Sequence, residues 1–558
     1  MKINIRWQLL LAVICLGLVV SLLSYQVQSV GGCTTRVPSS GGRLAVGIVG
    51  RPDKINPLLQ SNNPVDQELV DLIFDGLIRY DDQGFPEGAL AEDWSASEDG
   101  KTITIELKEG VLWHDGQAFT SEDVAFTYGL LQEGDFPAPD SLKELWSTIV
   151  ISPTGEYSLD LVLPQPYGPI VDALTIGILP AHLLEDIPPA QLADNGFNSQ
   201  PVGTGPFAAS KIYNWKQTGN LRLVPNPDYW RNQVQIDTLD YYFYPDFQTL
   251  IEAYRSGTLQ AISGIGADEI PEALKLPSIR MFTSPDDVVS MLLFNLDSDS
   301  SPLIQSTSGR RAVAEGTNRP QLIDAAAQGQ GLVVDGPYVP ESWAYDADQV
   351  REIPYSAESA AAALDEQGWI LPEGSPVREK EGEPLVLRLL AMDDNLSRQL
   401  ATELVDQWTA LGITTEPRFV PPQDMNTALA ESSFDIALVH VRPNEDPDLY
   451  DFWSQEAIVD GQNYGVWNSR QASEALEAGR QAFDIDERLL HYAAFQQIYN
   501  EELPAFPLFQ HVRNFAISDK VEKVEIGLTS QPRDRYRTLS DWFMLYREVP
   551  VACPESEA

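Results

Sequence analysis

Two hydrophobic periods alternate along the body of the chain. Residues 43–49 form a short apolar run that predicts a first strand, and 51–64 is a turn-rich loop. Residues 65–77 carry Leu69, Leu72, Ile73 and Leu77 at helical spacing. Residues 101–108 alternate strictly: Ile103, Ile105 and Leu107 point one way, Thr102, Thr104 and Glu106 the other. That is a strand with one wet face. Thr120-Ser121-Glu122-Asp123 reads as a capping box, with Thr120 as N-cap and Asp123 at the third helical position, opening a helix through Leu131. Residues 157–163 alternate again and stop at Pro164 and Pro166.

Beyond Pro201 the pattern becomes mixed. Strands are predicted over 239–244, 290–296, 385–392 and 434–440. Helices are predicted over 249–256 (closed by Gly257), from Ser356 to Gly368, over 397–411 (stopped by Gly412) and over 487–501. Strand–helix alternation of this kind favours α/β lobes. No short internal repeat occurs.

At 558 residues the chain suggests two to four domains of roughly 150 residues each. Its 12 Trp, 20 Tyr and 20 Phe exclude a disordered chain, which is poor in aromatics. Against 82 Asp+Glu stand 37 Lys+Arg, a net charge of -45. A nucleic-acid backbone would be repelled, and an anionic membrane surface is disfavoured. The acidity reads first as a solubilising surface.

The N-terminus differs in kind. Lys2 and Arg6 precede an apolar run over 7–27, as in a signal peptide or a membrane anchor. Its strictly apolar part, 9–23, is short for a spanning helix and long enough for a signal core. Val30-Gly31-Gly32-Cys33 resembles a lipoprotein box, so Cys33 is the candidate lipidation site; an uncleaved anchor with an incidental Cys is the alternative. Either places the body outside the cytoplasmic membrane and tethered to its outer face. Three cysteines give no disulfide framework.

Catalytic signatures are missing. There is no Gly-x-Ser-x-Gly elbow and no His-Glu-x-x-His, and the five His share no helical spacing. His114 beside Asp115 reads as a polar turn, not a metal site. Gly100-Lys101-Thr102 leads into a strand, whereas a phosphate loop leads into a helix. No metal, cofactor or enzymatic activity is expected.

Several blocks together carry a resemblance. They are Ile55-Asn56-Pro57-Leu58, Phe74-Asp75-Gly76-Leu77-Ile78-Arg79-Tyr80, Leu90-Ala91-Glu92-Asp93-Trp94 and Gly110-Val111-Leu112-Trp113-His114-Asp115-Gly116. Phe119 to Val124, Gly203-Thr204-Gly205-Pro206-Phe207, Asn226-Pro227-Asp228-Tyr229-Trp230 and Ala363 to Trp369 continue the series. In this order the chain resembles, over about residues 43 to 545, the extracytoplasmic solute-binding proteins of family 5, the peptide/nickel type that feed ABC importers. The resemblance implies a two-lobed α/β periplasmic-binding-protein-like fold of class II type, with an extra α+β domain inserted in the first lobe. By analogy 1–42 is leader and tether, 43–80 with 198–293 and 512–548 the first lobe, 81–197 the extra domain, 294–511 the second lobe and 549–558 a tail. Hinge segments are expected near Phe294-Asn295-Leu296 and Gln510-His511, closing over ligand.

The ligand-binding candidates implied are Asn56, Pro57 and Leu58 in a first-lobe loop, Trp113, Phe294 and Asn295 at the hinge, and Arg442 and Trp467 on the second lobe. Trp113 has core packing as its alternative, Asn295 satisfaction of hinge backbone, and Arg442 a surface salt bridge. Peptide-binding members hold the ligand's amino terminus with an aspartate four residues before a proline. Here the position four before Pro447 is Pro443, which leaves Glu445 or Asp446 as substitutes. The expected function is the substrate-binding subunit of an ABC importer, capturing oligopeptide-type solutes by hinge closure. Its partners would be the permease and ATPase subunits, with the body a monomer. An oligosaccharide or other solute is the alternative ligand. A ligand sensor or an extracellular hydrolase are the rival roles.

Overall fold

The computed structural model describes residues 14, 16–21, 34–59, 63–81, 83–211, 215–297, 301–443, 445–527 and 532–551. Cys33, and with it the lipidation expectation, lies outside them, as does most of the apolar N-terminal run. Among the described residues no helix is long and apolar enough to cross a membrane.

One ten-stranded mixed sheet runs through the whole molecule. Its first-lobe part is centred on strand Arg43–Val49, which pairs in parallel with Thr238–Tyr244 on one side and Ala261–Ser263 on the other. A central parallel strand is covered on both faces, which is why this run is apolar almost throughout. Leu44, Val46 and Ile48 enter one core, and Ala45 faces Leu250, Ile251 and Ile262 in a second. The second-lobe part holds strands Val386–Met392, Thr414–Val420 and Ile436–Val441. Helix Asn395–Ala410 connects the first two, buries Leu400, Leu404 and Trp408, and starts at an Asp394 cap. Two further cores cover the faces of this half, one holding Leu387, Leu389, Ile436 and Leu438, the other Leu390, Ala437 and Val439.

The halves are joined by two long antiparallel strands, Ile279–Phe294 and Ala505–Ser518. Residues 279–285 pair with 512–518 beside the first-lobe strand Ala261–Ser263. Residues 289–293 pair with 505–510 beside the second-lobe strand Ile436–Val441. The register breaks between Pro285 and Val289. The break therefore lies earlier than the expected Phe294-Asn295-Leu296, while the second crossing falls at Gln510–Val512. Ser284-Pro285-Asp286-Asp287 interrupts the apolar pattern, so the sequence showed only the last third of this strand.

A separate four-stranded antiparallel sheet, Ala91–Ala96, Thr102–Leu107, Ser158–Val162 and Val150–Gly155, lies within residues 81–197. Ile103, Ile105, Leu159 and Leu161 carry its buried face into the first-lobe core. Helix Ser121–Gln132 packs on it, and both halves of the predicted capping box form. The helix predicted over 65–77 is shorter, Pro64–Ile73. Phe74 turns extended, and the half-buried Asp75 behind it accepts hydrogen bonds from Thr204 Oγ1 and Trp230 Nε1, both at 3.0 Å. The C-terminal turn 532–536 docks on the same helix, where Glu68 accepts from Tyr241 (2.6 Å), Tyr536 (3.0 Å) and Ser263 (2.9 Å) and pairs with Arg535. Finally, Thr34–Ser39 pairs with Leu545–Pro550.

Candidate ligand-binding cavity

The lobes face one another across a cleft that is partly open to solvent. Tyr80 and Arg537 reach it from the first lobe, Asp286, Asp287 and Gln510 from the crossing strands. The segment 337–343 and the loop after Ile436–Val441 build its second-lobe wall. That wall is mostly apolar, with Met291, Val441, Leu449, Phe452 and Trp453. Four buried polar atoms on the lining have no hydrogen-bond partner: Asp287 Oδ2, Gln510 Oε1, Tyr338 Oη and Trp343 Nε1. Buried polar groups are ordinarily paired, so a cluster of orphans on one concave surface marks a place that a polar ligand completes.

The floor carries charge. The register break throws Asp286 and Asp287 out of the strand pairing. Asp286 takes Arg442 and Arg513, each at 3.1 Å, and Arg442 also reaches Asp287. Burial pushes the Asp287 carboxyl up to about 8, reinforced by its hydrogen bond to Asp286. Asp286 moves the opposite way: burial raises it, but the bond from Asp287 and the two guanidinium groups outweigh that.

Behind the floor, Ser290 Oγ bridges His440 Nδ1 and His511 Nε2, both at 2.7 Å, and His440 Nε2 meets Ser397 Oγ at 2.9 Å. Ser397 donates to Asp394 at 2.6 Å. That last bond orients the chain: His440 donates from Nε2 and accepts at Nδ1 from Ser290, which accepts from His511. Burial, then His440, pushes His511 down to about 4, so the relay is neutral. Ser290 is fully buried and presents no nucleophile.

Direct contacts hold the lobes together at the rim. Tyr80 Oη donates to Asp172 at 3.2 Å, and Asp446 N donates to the same oxygen at 3.4 Å. Burial, then Glu445 and Asp446, pushes the Asp172 carboxyl up to about 7. Gly168 N donates to Arg480 O at 2.7 Å, and Phe85 stacks on Trp343 with ring centroids 6.2 Å apart.

The structure brings few of the sequence-predicted site residues to this cavity. Glu445 lines it, and Arg442 stands behind it on Asp286 and Asp287. Asp446 is turned away into a buried bidentate pair with Arg488, at 2.7 and 2.6 Å. Asn56 is buried and clamps Asn198 at 2.9 Å while accepting from Leu58 N, so Asn56, Pro57 and Leu58 pack the first lobe against residues 196–199. Trp113 is core, donating to Asp123 Oδ2 at 3.3 Å. Phe294 is second-lobe core, and Asn295 donates to the carbonyls of Ser432 (3.1 Å) and Phe434 (2.9 Å). Trp467 is buried behind Trp453 and donates to Glu502 Oε2 at 2.6 Å. His114 is a clamp, its ring nitrogens meeting Gly203 N and Gly205 O. Missed were Asp286, Asp287, Glu341, Tyr338, Trp343 and Gln510. A Pro-rich aromatic loop, 337–343, and two acids inside an apolar strand pattern were the available signals.

A second recess lies around Arg79, Glu87, Tyr229 and Arg231. It does not span the lobes. Among the described residues no group of three or more His, Cys, Asp or Glu is placed to hold a metal ion.

Comparison with known proteins agrees with this geometry. Residues 86–459 match the family model for bacterial extracellular solute-binding proteins, family 5 (middle region). The chain is 26% identical over 522 residues to the oligopeptide-binding protein AppA of Bacillus subtilis, covering 91% of this chain and 92% of that protein. It is 24% identical over 492 residues to the dipeptide-binding protein of Escherichia coli, covering 82% and 87%. The solved structure of Bacillus subtilis AppA with a nonapeptide superposes with a TM-score of 0.66 at 24% identity, over 91% of this chain and 100% of that one.

Proposed function

Because the chain belongs to the family 5 bacterial extracellular solute-binding proteins, which bind and do not catalyse, we propose that it captures peptides in the interlobe cavity and delivers them to an ABC permease. The observation that carries this reading is the pairing of an apolar wall with orphaned donors and acceptors. Trp343 Nε1 and Tyr338 Oη suit peptide carbonyls, while Asp287 Oδ2 and Gln510 Oε1 suit amide or ammonium N–H groups. A generic backbone is read by such groups, and variable side chains are accepted against an apolar wall. Two curated relatives carry peptide-binding names, which favours the same ligand class. Hinge closure would turn on the break at 285–289 and on 510–512. The body would work outside the cytoplasmic membrane, held by the N-terminal apolar segment or by lipid on Cys33.

The test is a thermal-shift screen with di- to nonapeptides and with oligosaccharides as the competing class. A peptide at 100 times its Kd should stabilise the chain by about 2.7 kcal/mol. A shift with sugars alone refutes the peptide reading.

A further inference from the structure

The interlobe cleft and the recess around Arg79 and Arg231 meet at one wall. Tyr80 and Arg537 line both. Tyr80 ends a short strand, Ile78–Tyr80, which pairs in antiparallel with Pro86–Gly88 to make a separate two-stranded sheet. Gly84, between these strands, lines the cleft, while Arg79 and Glu87, opposite one another in the register, line the recess. The hairpin therefore stands between the two. Its base is fixed, with Leu77 N and Ile78 N donating to Leu174 O at 2.9 and 3.1 Å. Two short strands are marginal on their own, and the outer part leans on side chains. Tyr80 Oη donates to Asp172 at 3.2 Å, Phe85 stacks on Trp343, and Arg537 donates to Asp81 O at 2.9 Å. The two sides of this wall differ in chemistry. The cleft is mostly apolar, whereas in the recess two guanidinium groups face one oxygen of Glu87: Arg79 pairs with it, and Arg231 stands 3.7 Å away. Arg79 Nε is buried and has no hydrogen-bond partner. Asp75, also on the recess, is already engaged by Thr204 and Trp230. Two guanidinium groups on one carboxylate oxygen, one of them with an idle N–H, are short of acceptors. The carbonyl and carboxylate oxygens of a peptide supply them.

We infer that the recess continues the ligand path beyond the cleft, and that Tyr80 and Arg537 form the partition a long peptide displaces. A peptide that fits the cleft leaves the partition shut. A longer one passes its overhang between these two side chains into the recess, where Arg79 and Arg231 meet its oxygens. The inference rests on the peptide reading and deepens it, because it sets which lengths of peptide the protein takes and where the excess goes. The partition is built to yield. Tyr80 is a single ring held at its tip by one hydrogen bond, and Arg537 is a long side chain whose other partner, Asp534 at 2.8 Å, lies on its own turn. Moving them breaks no strand pairing of the ten-stranded sheet, to which the hairpin does not belong. Short peptides are therefore bound without cost at this wall, and long ones lose the Tyr80 and Arg537 contacts while gaining the recess.

The experiment is isothermal titration of the full chain with tri-leucine and with tri-leucine extended by six Gly-Ser residues at either end. The readout is the affinity of each extended peptide relative to tri-leucine. Arg79→Gln is expected to lower that ratio about tenfold for one of the two extensions, the worth of one charge-assisted contact. Tyr80→Ala and Arg537→Ala, which open the partition, should raise the ratio for the same extension, by about three- to tenfold. Arg79 is half-buried at the recess, so its variant keeps the test open if Tyr80→Ala does not fold. An Arg79→Gln variant that weakens short and extended peptides by the same factor overturns the inference alone. So does an unchanged ratio in both Tyr80→Ala and Arg537→Ala. Failure of all three peptides to bind the parent chain overturns it together with the peptide reading.

Discussion

Removing the carboxylate of Asp446 separates two accounts of the loop that walls the cavity. Its side chain and that of Arg488 are 3% and 5% exposed, and they meet through two hydrogen bonds of 2.7 and 2.6 Å. The guanidinium also donates to Gly479 O at 3.1 Å and Tyr492 Oη at 2.7 Å, and lies 5.2 Å from the Trp343 ring centroid. Asp446→Asn would leave Arg488 buried beside a neutral amide. Breaking a buried pair from one side costs about 3–5 kcal/mol, because the desolvated charge loses its partner. For a lobe of this size that is a fall in Tm of roughly 6–20 °C. Urea and thermal unfolding should be followed by tryptophan fluorescence for Asp446→Asn, Arg488→Met and the double variant. The double variant should lose less than the sum of the singles, since it leaves no orphaned charge. If Asp446→Asn stays within about 1 kcal/mol of the parent and yet abolishes ligand binding, the pair is not structural and Asp446 is itself the ligand's anchor.

Other expectations are smaller in scope. Asp172 is raised to about 7 in the fold, so its ionisation costs stability progressively from about pH 4 to 7. Asp172→Asn should therefore stabilise the chain more at pH 8 than at pH 5, the difference being at most about 3 kcal/mol; an equal gain at both pH values would sink this. A Cβ on Gly168 would stand 2.2 Å from the carbonyl oxygen of Ala482, so Gly168→Ala should part the rim contact between Gly168 and Arg480 and lower Tm; an unchanged Tm would show that this contact contributes nothing. Ser290→Ala strips His440 and His511 of their common partner and should cost about 1–3 kcal/mol in urea unfolding. Full stability in that variant would show that the buried relay contributes nothing.

The architecture was readable where local chemistry and burial agree. Ile103, Ile105 and Leu107 alternate because one face of their sheet is core, and Thr120 with Asp123 satisfies the first amides of a helix from sequence-local atoms. The cavity was not readable in that way. Its residues come from two long strands, an irregular loop at 337–343 and a C-terminal turn, and no period links them. Asp286 and Asp287 disguised a 16-residue strand as a short one, because the bulge that makes them useful also breaks the apolar pattern. Asn56, Trp113 and Trp467 drew notice as polar or aromatic residues in distinctive blocks, yet each bonds a partner within its own lobe. Asp446 shows the same ambiguity: only the position of Arg488, distant in sequence, decides what its carboxylate does.

The most direct measurement is a crystal structure of the chain with the peptide that gives the largest thermal shift. The account predicts peptide density between the lobes, with peptide carbonyls against Tyr338 Oη and Trp343 Nε1 and a peptide N–H group against Gln510 Oε1. Density confined to the first-lobe recess beside Arg79 and Arg231, with the interlobe cavity holding only solvent, would contradict it.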